Sequence, residues 1–266
     1  MKILTLLTCY NRKEKTEKAI LGLLKGNPGI DFSFLVVDAG STDGTCEFLR
    51  ELPEVLMIQG DPGLYYSNGM RLAMEQAKKK DGYDYCFLIN DDVEFFEGVV
   101  NKLVERSSGR DIIVGPTCGL KGTLSYGGIK YDKGIKYQML GPDDSDTGAD
   151  TFNANCVLIP WKIFMDNELM DKHYVHSLGD FDYGLMLSGK GYSIYTLDEF
   201  AGICEDNPAK GTWEDPELPV LERIKDKESV KGVPFGQWFY FLKKNFGLPR
   251  AVVSSVTPYI RIILHR

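Results

Sequence analysis

Three observations predict an α/β fold with a mixed, mostly parallel sheet flanked by helices. Short apolar runs recur at residues 3–8, 34–38 (FLVVD), 55–59 and 85–90 (YCFLIN), as buried strands require. Stretches with apolar residues at helical spacing separate them, and this β-α rhythm implies right-handed crossovers and a sheet covered on both faces. Finally, three of the runs end in polar clusters: Thr8-Cys9-Tyr10-Asn11, Asp38-Ala39-Gly40-Ser41 and Asn90-Asp91-Asp92. Ligands of such sheets bind beyond the carboxyl ends of the strands, so these clusters converge on one crevice.

Each element has its own local reason. Residues 12–24 carry Thr16, Ala19, Ile20, Leu23 and Leu24 at helical spacing, with Asn11 the expected cap. Residues 45–52 read as a short helix. Residues 68–80 read as a longer one with Met70, Ala73, Met74 and Ala77 on one face. The second half is less regular. It predicts a helix over 97–106, a strand over 111–116, and turn-linked strands over the Gly/Tyr/Lys-rich 119–141. A strand over 156–160, a helix opening in 161–168, a helix and Gly turn over 180–191 and a strand over 192–197 follow. There is no internal repeat or Pro-rich linker, so one continuous domain over residues 1–228 is expected, with an extension over 229–266.

The 266 residues are 43% hydrophobic and 26% charged, enough for a sizeable core and against disorder. A net charge of −7 argues against a nucleic-acid partner. No apolar run approaches the ~18 residues of a spanning helix, and the N-terminal stretch reads as a first strand rather than a signal peptide. The six cysteines (9, 46, 86, 118, 156, 204) are at least 32 residues apart, which excludes a CxxC metal or redox pair and predicts free buried thiols in a reducing compartment.

From Ser229 onward the chain holds six Lys or Arg and no acidic residue. That stretch carries an aromatic-basic cluster, Phe235 and Trp238 to Leu242 followed by Lys243-Lys244. The theme returns over residues 259–264 and closes with His265-Arg266. Such a composition suits an interfacial helix on anionic lipid; packing on the domain or a homodimer contact is the alternative.

Neither GxGxxG nor GxxxxGK[ST] occurs, which excludes the common dinucleotide and P-loop fingerprints. In Asn90-Asp91-Asp92 the adjacent carboxylates repel each other, and a hard divalent cation, Mg²⁺ or Mn²⁺, relieves that repulsion and can bridge to a diphosphate. A solvated turn or a helix cap is the alternative. His173 and His176 share helical spacing but have no third zinc ligand nearby in sequence, so they read as a surface or acceptor-side pair.

Together, Thr8-Cys9-Tyr10-Asn11-Arg12, the run from Val37 through Asp38-Ala39-Gly40-Ser41-Thr42-Asp43-Gly44 to Thr45, and Asn90-Asp91-Asp92 resemble the family 2 inverting glycosyltransferases of GT-A fold. The later Gly179-Asp180-Phe181-Asp182 and Gly189-Lys190-Gly191-Tyr192 resemble that family's Glu-Asp helix and its exit, and the whole pattern is most similar to bacterial rhamnosyltransferase-type enzymes.

The resemblance implies a nucleotide-sugar-binding half over residues 1–100 and an acceptor-binding half over 101–228. Asp38 would accept the imide N–H of uracil or thymine in a UDP- or dTDP-sugar, unless it only caps the next helix. Thr8, Tyr10, Asn11, Arg12, Gly40 and Ser41 would line the nucleotide site. Asn68, Gly69 and Arg71, at an expected helix start, would meet phosphate. Asn90 and Asp91 would flank the donor, and Asp92 would ligate the cation. The family commonly has Asp where Asn90 stands, and its metal-binding histidine is missing from residues 202–207. Cys204, Glu205 or Asp206 is the candidate replacement.

Asp180 would be the general base, although Gly179 replaces the family's Glu. Asp182, Asn153 and Asn155, with Tyr126-Gly127-Gly128, fall on the acceptor side. The implied acceptor is a glycan or lipid-linked chain of a cell-surface polysaccharide. The implied location is cytoplasmic, peripheral on the inner face of the membrane. A nucleotidyltransferase of related fold and a non-catalytic sugar-nucleotide binder are the rival readings.

Overall fold

The computed structural model describes residues 1–206 and 208–264; Asn207, His265 and Arg266, named above, lie outside them. The first half alternates as expected: β1 (Lys2–Cys9), α1 (Lys13–Gly26), β2 (Asp31–Asp38), α2 (Thr45–Glu51), β3 (Val55–Gln59), α3 (Tyr65–Ala77) and β4 (Tyr85–Ile89). Next come β5 (Glu94–Phe95), α4 (Val99–Ser107), β6 (Ile112–Val114), β7 (Thr117–Cys118), β8 (Leu124–Tyr126), β9 (Gly128–Tyr131) and β10 (Tyr137–Leu140). The chain continues through β11 (Thr151–Phe152), β12 (Cys156–Pro160), α5 (Trp161–Asp166), α6 (Gly179–Gly189), β13 (Ile194–Thr196) and β14 (Gly202–Ile203). It ends in α7 (Val220–Lys227), α8 (Phe235–Phe246) and α9 (Leu248–Ile263).

Seven strands form the central sheet in the order β13-β6-β12-β4-β1-β2-β3. All neighbours pair parallel except β12, which runs antiparallel to both β4 and β6. The two-residue period of a strand sends alternate side chains to opposite faces. In β1, Leu4 and Leu6 join one core with Met70, Met74, Phe164 and Tyr183. Ile3 and Leu7 join the other with Ile20, Leu23, Val100 and Leu103. Two small sheets, β10-β9-β11 and β5-β14-β7-β8, cap the carboxyl side.

Several local expectations are corrected. Asn11 does not cap α1: it lies in the left-handed region (φ 49°) and its Oδ1 accepts from Thr42 N at 2.7 Å. Asp43 from the next loop accepts from Lys13 N instead and also from Thr45 N, so one carboxylate serves the starts of both α1 and α2. Helix α3 starts three residues earlier than the periodicity predicts. Its first turn docks on the loop before α6, Asn68 N donating to Val175 O and Ser67 Oγ to His176 O at 2.6 Å. His173 and His176 are in that loop and not on a helix.

The C-terminal helices build a third core, in which Phe241, Leu242 and Ala251 pack with Tyr174, Trp238 and Phe246. The aromatic cluster of α8 thus packs in part on the domain: Phe241 and Leu242 are buried and Trp238, Phe239 and Tyr240 half-buried. Pro258 inside α9 has no N–H for the Ser254 carbonyl four residues back, and Trp238 Nε1 donates to that oxygen at 3.4 Å. On the next turn of chain, buried Arg223 of α7 donates to Ile262 O. Helix α8 is fastened to α6 by a buried carboxylate: Asp182 accepts from Lys244 Nζ at 2.7 Å, Asn245 Nδ2 at 2.9 Å and Tyr174 Oη at 3.1 Å.

Replacing Lys244 by Met leaves Asp182 buried without its cation. We expect a loss of about 2–3 kcal/mol in chemical denaturation, partly recovered when Asp182→Asn is added. An unchanged midpoint for Lys244→Met would remove this pair as the fastening.

Candidate active site

The strand order reverses beside β1: β2 and β3 lie on one side, β4 on the other. The crevice at such a switch point is where open α/β sheets bind ligands. Here the loops after β1 and β4 face each other across it and are bridged by Arg12. Its Nη1 donates to Asp91 Oδ1 at 3.1 Å and Asp92 Oδ2 at 2.9 Å, with Lys15 Nζ 3.8 Å from Asp92. Burial pushes the Asp91 carboxyl up to about 6 against the pull of Arg12.

Strand β12 adds a third wall. Because it runs backwards, its first residue, Cys156, pairs with Ile89, the last of β4. The preceding Asn153-Ala154-Asn155 is thereby delivered to the carboxyl edge, where Asn155 O accepts from Asn90 N at 3.2 Å. Ala154 N donates to Asp180 Oδ2 at 3.2 Å, tying the first turn of α6 to the same edge. Burial pushes the Asp180 carboxyl up to about 6, although the N–H groups of Ala154 and Phe181 favour its ionised form. It is a base above that pH and uncharged below it.

The site is rich in polar atoms awaiting partners. Asn90 Oδ1, Asn153 Oδ1, Tyr66 Oη and His176 Nδ1 are buried without one. Burial pushes His176 down to about 4, so it is neutral at physiological pH. Tyr66 is a residue the sequence reading missed. Its hydroxyl senses the Asp180 charge, and burial holds its pKa well above the ordinary tyrosine value. No motif marks it, because only the early start of α3 and the packing of that helix on the loop before α6 bring the two together.

The expected nucleotide residues divide into two groups. Tyr10 is 51% exposed at the rim, its ring free to stack. Asp38 is fully buried: its Oδ2 accepts from Gly40 N, Ser41 N, Cys46 Sγ and Gln59 Nε2. These hydrogen bonds hold its pKa below the ordinary value despite burial. Oδ2 of Asp38 thus organises its own loop, whereas Oδ1 has only the Cys9 thiol, at 3.7 Å. Gly40 fits there at φ 85° with a would-be Cβ 2.9 Å from Pro62. Ser41 and Asn11 bind each other's loops, Asn11 N donating to Ser41 Oγ.

Of the residues expected at the helix start, Asn68 closes the first turn of α3, and Gly69 and Arg71 follow it along the helix, where Arg71 pairs with Glu75 at 2.9 Å. Gly69 is where α3 meets β1, since a Cβ would lie 2.6 Å from Thr8 Oγ1. Asp182, expected on the acceptor side, is consumed by α8, as described above. At Gly179 a Cβ would lie 2.5 Å from Ser67 Oγ, so the close contact of α6 with α3 leaves no room for a side chain there.

The residues fit a cation only in part. Among the described residues no cluster of three or more His, Cys, Asp or Glu could hold a metal. Asp92 and the unpartnered Asn90 Oδ1 supply hard oxygen donors. Cys204 lies beside them, its Sγ 3.7 Å from Asp92 Oδ1, whereas Glu205 is turned to Leu120 N. Hard oxygen donors of this kind would suit Mg²⁺ or Mn²⁺ only if other ligands completed the shell.

Residues 5–139 match the model of glycosyl transferase family 2, and the chain belongs to that family. It is a glycosyltransferase of GT-A fold. The N-terminal 349-residue piece of S. aureus TarS superposes with a TM-score of 0.59 at 13% identity, over 99% of this chain and 81% of that one. Longer TarS gives 0.61 at 12%, over 99% of this chain and 49% of its own. The mannosyltransferase PcManGT of Pyrobaculum calidifontis, in complex with GDP-Man and Mn²⁺, gives 0.55 at 12%, over 98% and 78%. No curated protein matches the sequence significantly. The family match ends before α6, so the role of Asp180 stands on geometry.

A carboxyl whose folded pKa lies above its unfolded value costs stability once it ionises. Thermal unfolding of Asp180→Asn against the parent should therefore shift in the variant's favour between pH 5 and pH 7.5. A pH-independent difference would contradict the raised pKa.

Proposed function

We propose that this chain is an inverting glycosyltransferase that moves a hexosyl group, rhamnose being the first sugar to test, from a UDP- or dTDP-sugar to a glycan or lipid-linked acceptor of a cell-surface polysaccharide. The observation that carries the reading is Asp180: a buried carboxyl with its pKa near 6, fixed by the Ala154 N–H at the same crevice as Arg12, Asp91 and Asp92. Residues 1–228 would hold donor and acceptor, and 229–266 would be an accessory extension.

In this reading the donor's diphosphate meets Arg12 and Lys15, and Tyr10 stacks on the base. A divalent cation held by Asp92 and Asn90 would neutralise charge on the departing diphosphate. Asp180 takes the proton of the acceptor hydroxyl as its oxygen bonds to the anomeric carbon, from the face opposite the diphosphate. The bond from that carbon to the diphosphate oxygen breaks in the same step. One carboxylate suffices, because no covalent intermediate forms. In the same reading Asn153, Asn155 and Tyr66 bind sugar hydroxyls.

Asp180→Asn should keep donor affinity in calorimetry within about threefold and lose about 10²–10⁴-fold in turnover. The parental rate should rise through pH 6 as Asp180 ionises. Near-parental turnover in Asp180→Asn would remove the base from this position. Asp92→Ala and EDTA should each weaken donor binding with Mn²⁺ present in the parent; binding indifferent to both would exclude the cation. Purine nucleotides binding as well as pyrimidines would overturn the donor assignment.

A further inference from the structure

Helix α9 is buried on one side only. Ala251, Ser255 and Ile262 face α7 and α8. At ~100° per residue, the opposite side gathers Val252, Val253, Val256, Ile260, Ile263 and Leu264 into one apolar stripe. All six are exposed, Val253 to 68% and Ile263 to 59%. Arg250 and Arg261, also exposed, fall together along one edge of that stripe. Phe235 is exposed nearby, its ring 6.2 Å from that of Tyr259 on the α9 flank beside the stripe. No helix among the described residues is long and apolar enough to cross a membrane, so this surface is one that lies on something.

We propose that the outer face of α9 is a bilayer contact, its apolar stripe entering the interfacial region of an anionic membrane with Arg250 and Arg261 against the lipid phosphates. Charge selects this occupant over a second copy. A two-fold contact between α9 helices would bring four arginines to one seam, and Glu228, which touches α9, is held by Tyr259 Oη on the flank away from Arg250 and Arg261. An anionic surface supplies what that seam lacks. The mounting fits the purpose, because α8 packs against α9 and is fastened through Lys244 and Asn245 to Asp182 on α6. The helix that opens with Asp180 is thus held at a fixed height above the bilayer, within reach of a lipid-borne acceptor.

The test is co-sedimentation of the full chain with vesicles of equal parts phosphatidylglycerol and phosphatidylcholine. The parent should pellet, and phosphatidylcholine alone should retain at least tenfold less. Val256→Asp and Ile260→Asp should each cut binding more than tenfold with an unchanged unfolding midpoint, and reversing Arg250 or Arg261 should cut it several-fold, about fivefold per charge removed. Light scattering without lipid should give a monomer. Failure of the parent to pellet, equal binding to neutral vesicles, or a dimer that Val256→Asp dissociates would each overturn the proposal. Vesicle binding needs no sugar transfer, so it stands or falls apart from the role of Asp180.

Discussion

Because β12 enters the sheet antiparallel between β4 and β6, its beginning rather than its end lies at the carboxyl edge. A parallel strand there would send residues 153–155 to the opposite side. The reversal sets Asn155 against Asn90 and Ala154 against Asp180, so the loop before β12, the loop after β4 and the candidate base share one wall. This one strand thus fixes a constellation drawn from parts of the chain as far apart as Arg12 and Asp180. Burial at that wall, rather than any neighbouring carboxylate, is what raises Asp180 toward 6.

The crevice is electrostatically self-contained. Arg12 and Lys15 balance Asp91 and Asp92 in the free protein. In the proposed reading an incoming diphosphate would meet both signs of charge at once. Its phosphates would compete with the carboxylates for Arg12, and each carboxylate released would be free to hold a cation, so that anion and cation would favour each other's binding.

The strands of the first half were legible because each is an apolar run ending in polar residues, and both faces are covered. The switch-point residues Arg12 and Asn90 to Asp92 were legible for the same reason. What misled the reading was contact between distant segments. Asn11 has the chemistry of a cap, but Asp43 was closer to the helix end. Asn68, Gly69 and Arg71 looked like a helix start because Leu64, Tyr65 and Tyr66 carry no capping signal; the first turn is instead tied down where Asn68 N donates to Val175 O, more than a hundred positions on. Asp182 looked like a second acid beside Asp180, yet Lys244 and Asn245 claim it. Composition revealed that residues 229–266 differ from the body, but which helix faces inward depends on packing. The aromatic α8 won the core, and the aliphatic α9 kept its outer face bare.

A helix resting on an apolar bed can roll about its axis at little cost, because aliphatic contacts are non-directional. The bond from Trp238 to the carbonyl left open by Pro258 is directional and cannot follow such a roll. With Arg223 gripping Ile262 one further turn along, α9 is held at two points by donors from two different helices. Its angular phase is thereby set like a key in a shaft. A rotation by a single residue would bring Val252 under the domain and lift Ala251 out, so the proline that weakens the helix along its length is also what gives it a defined outside.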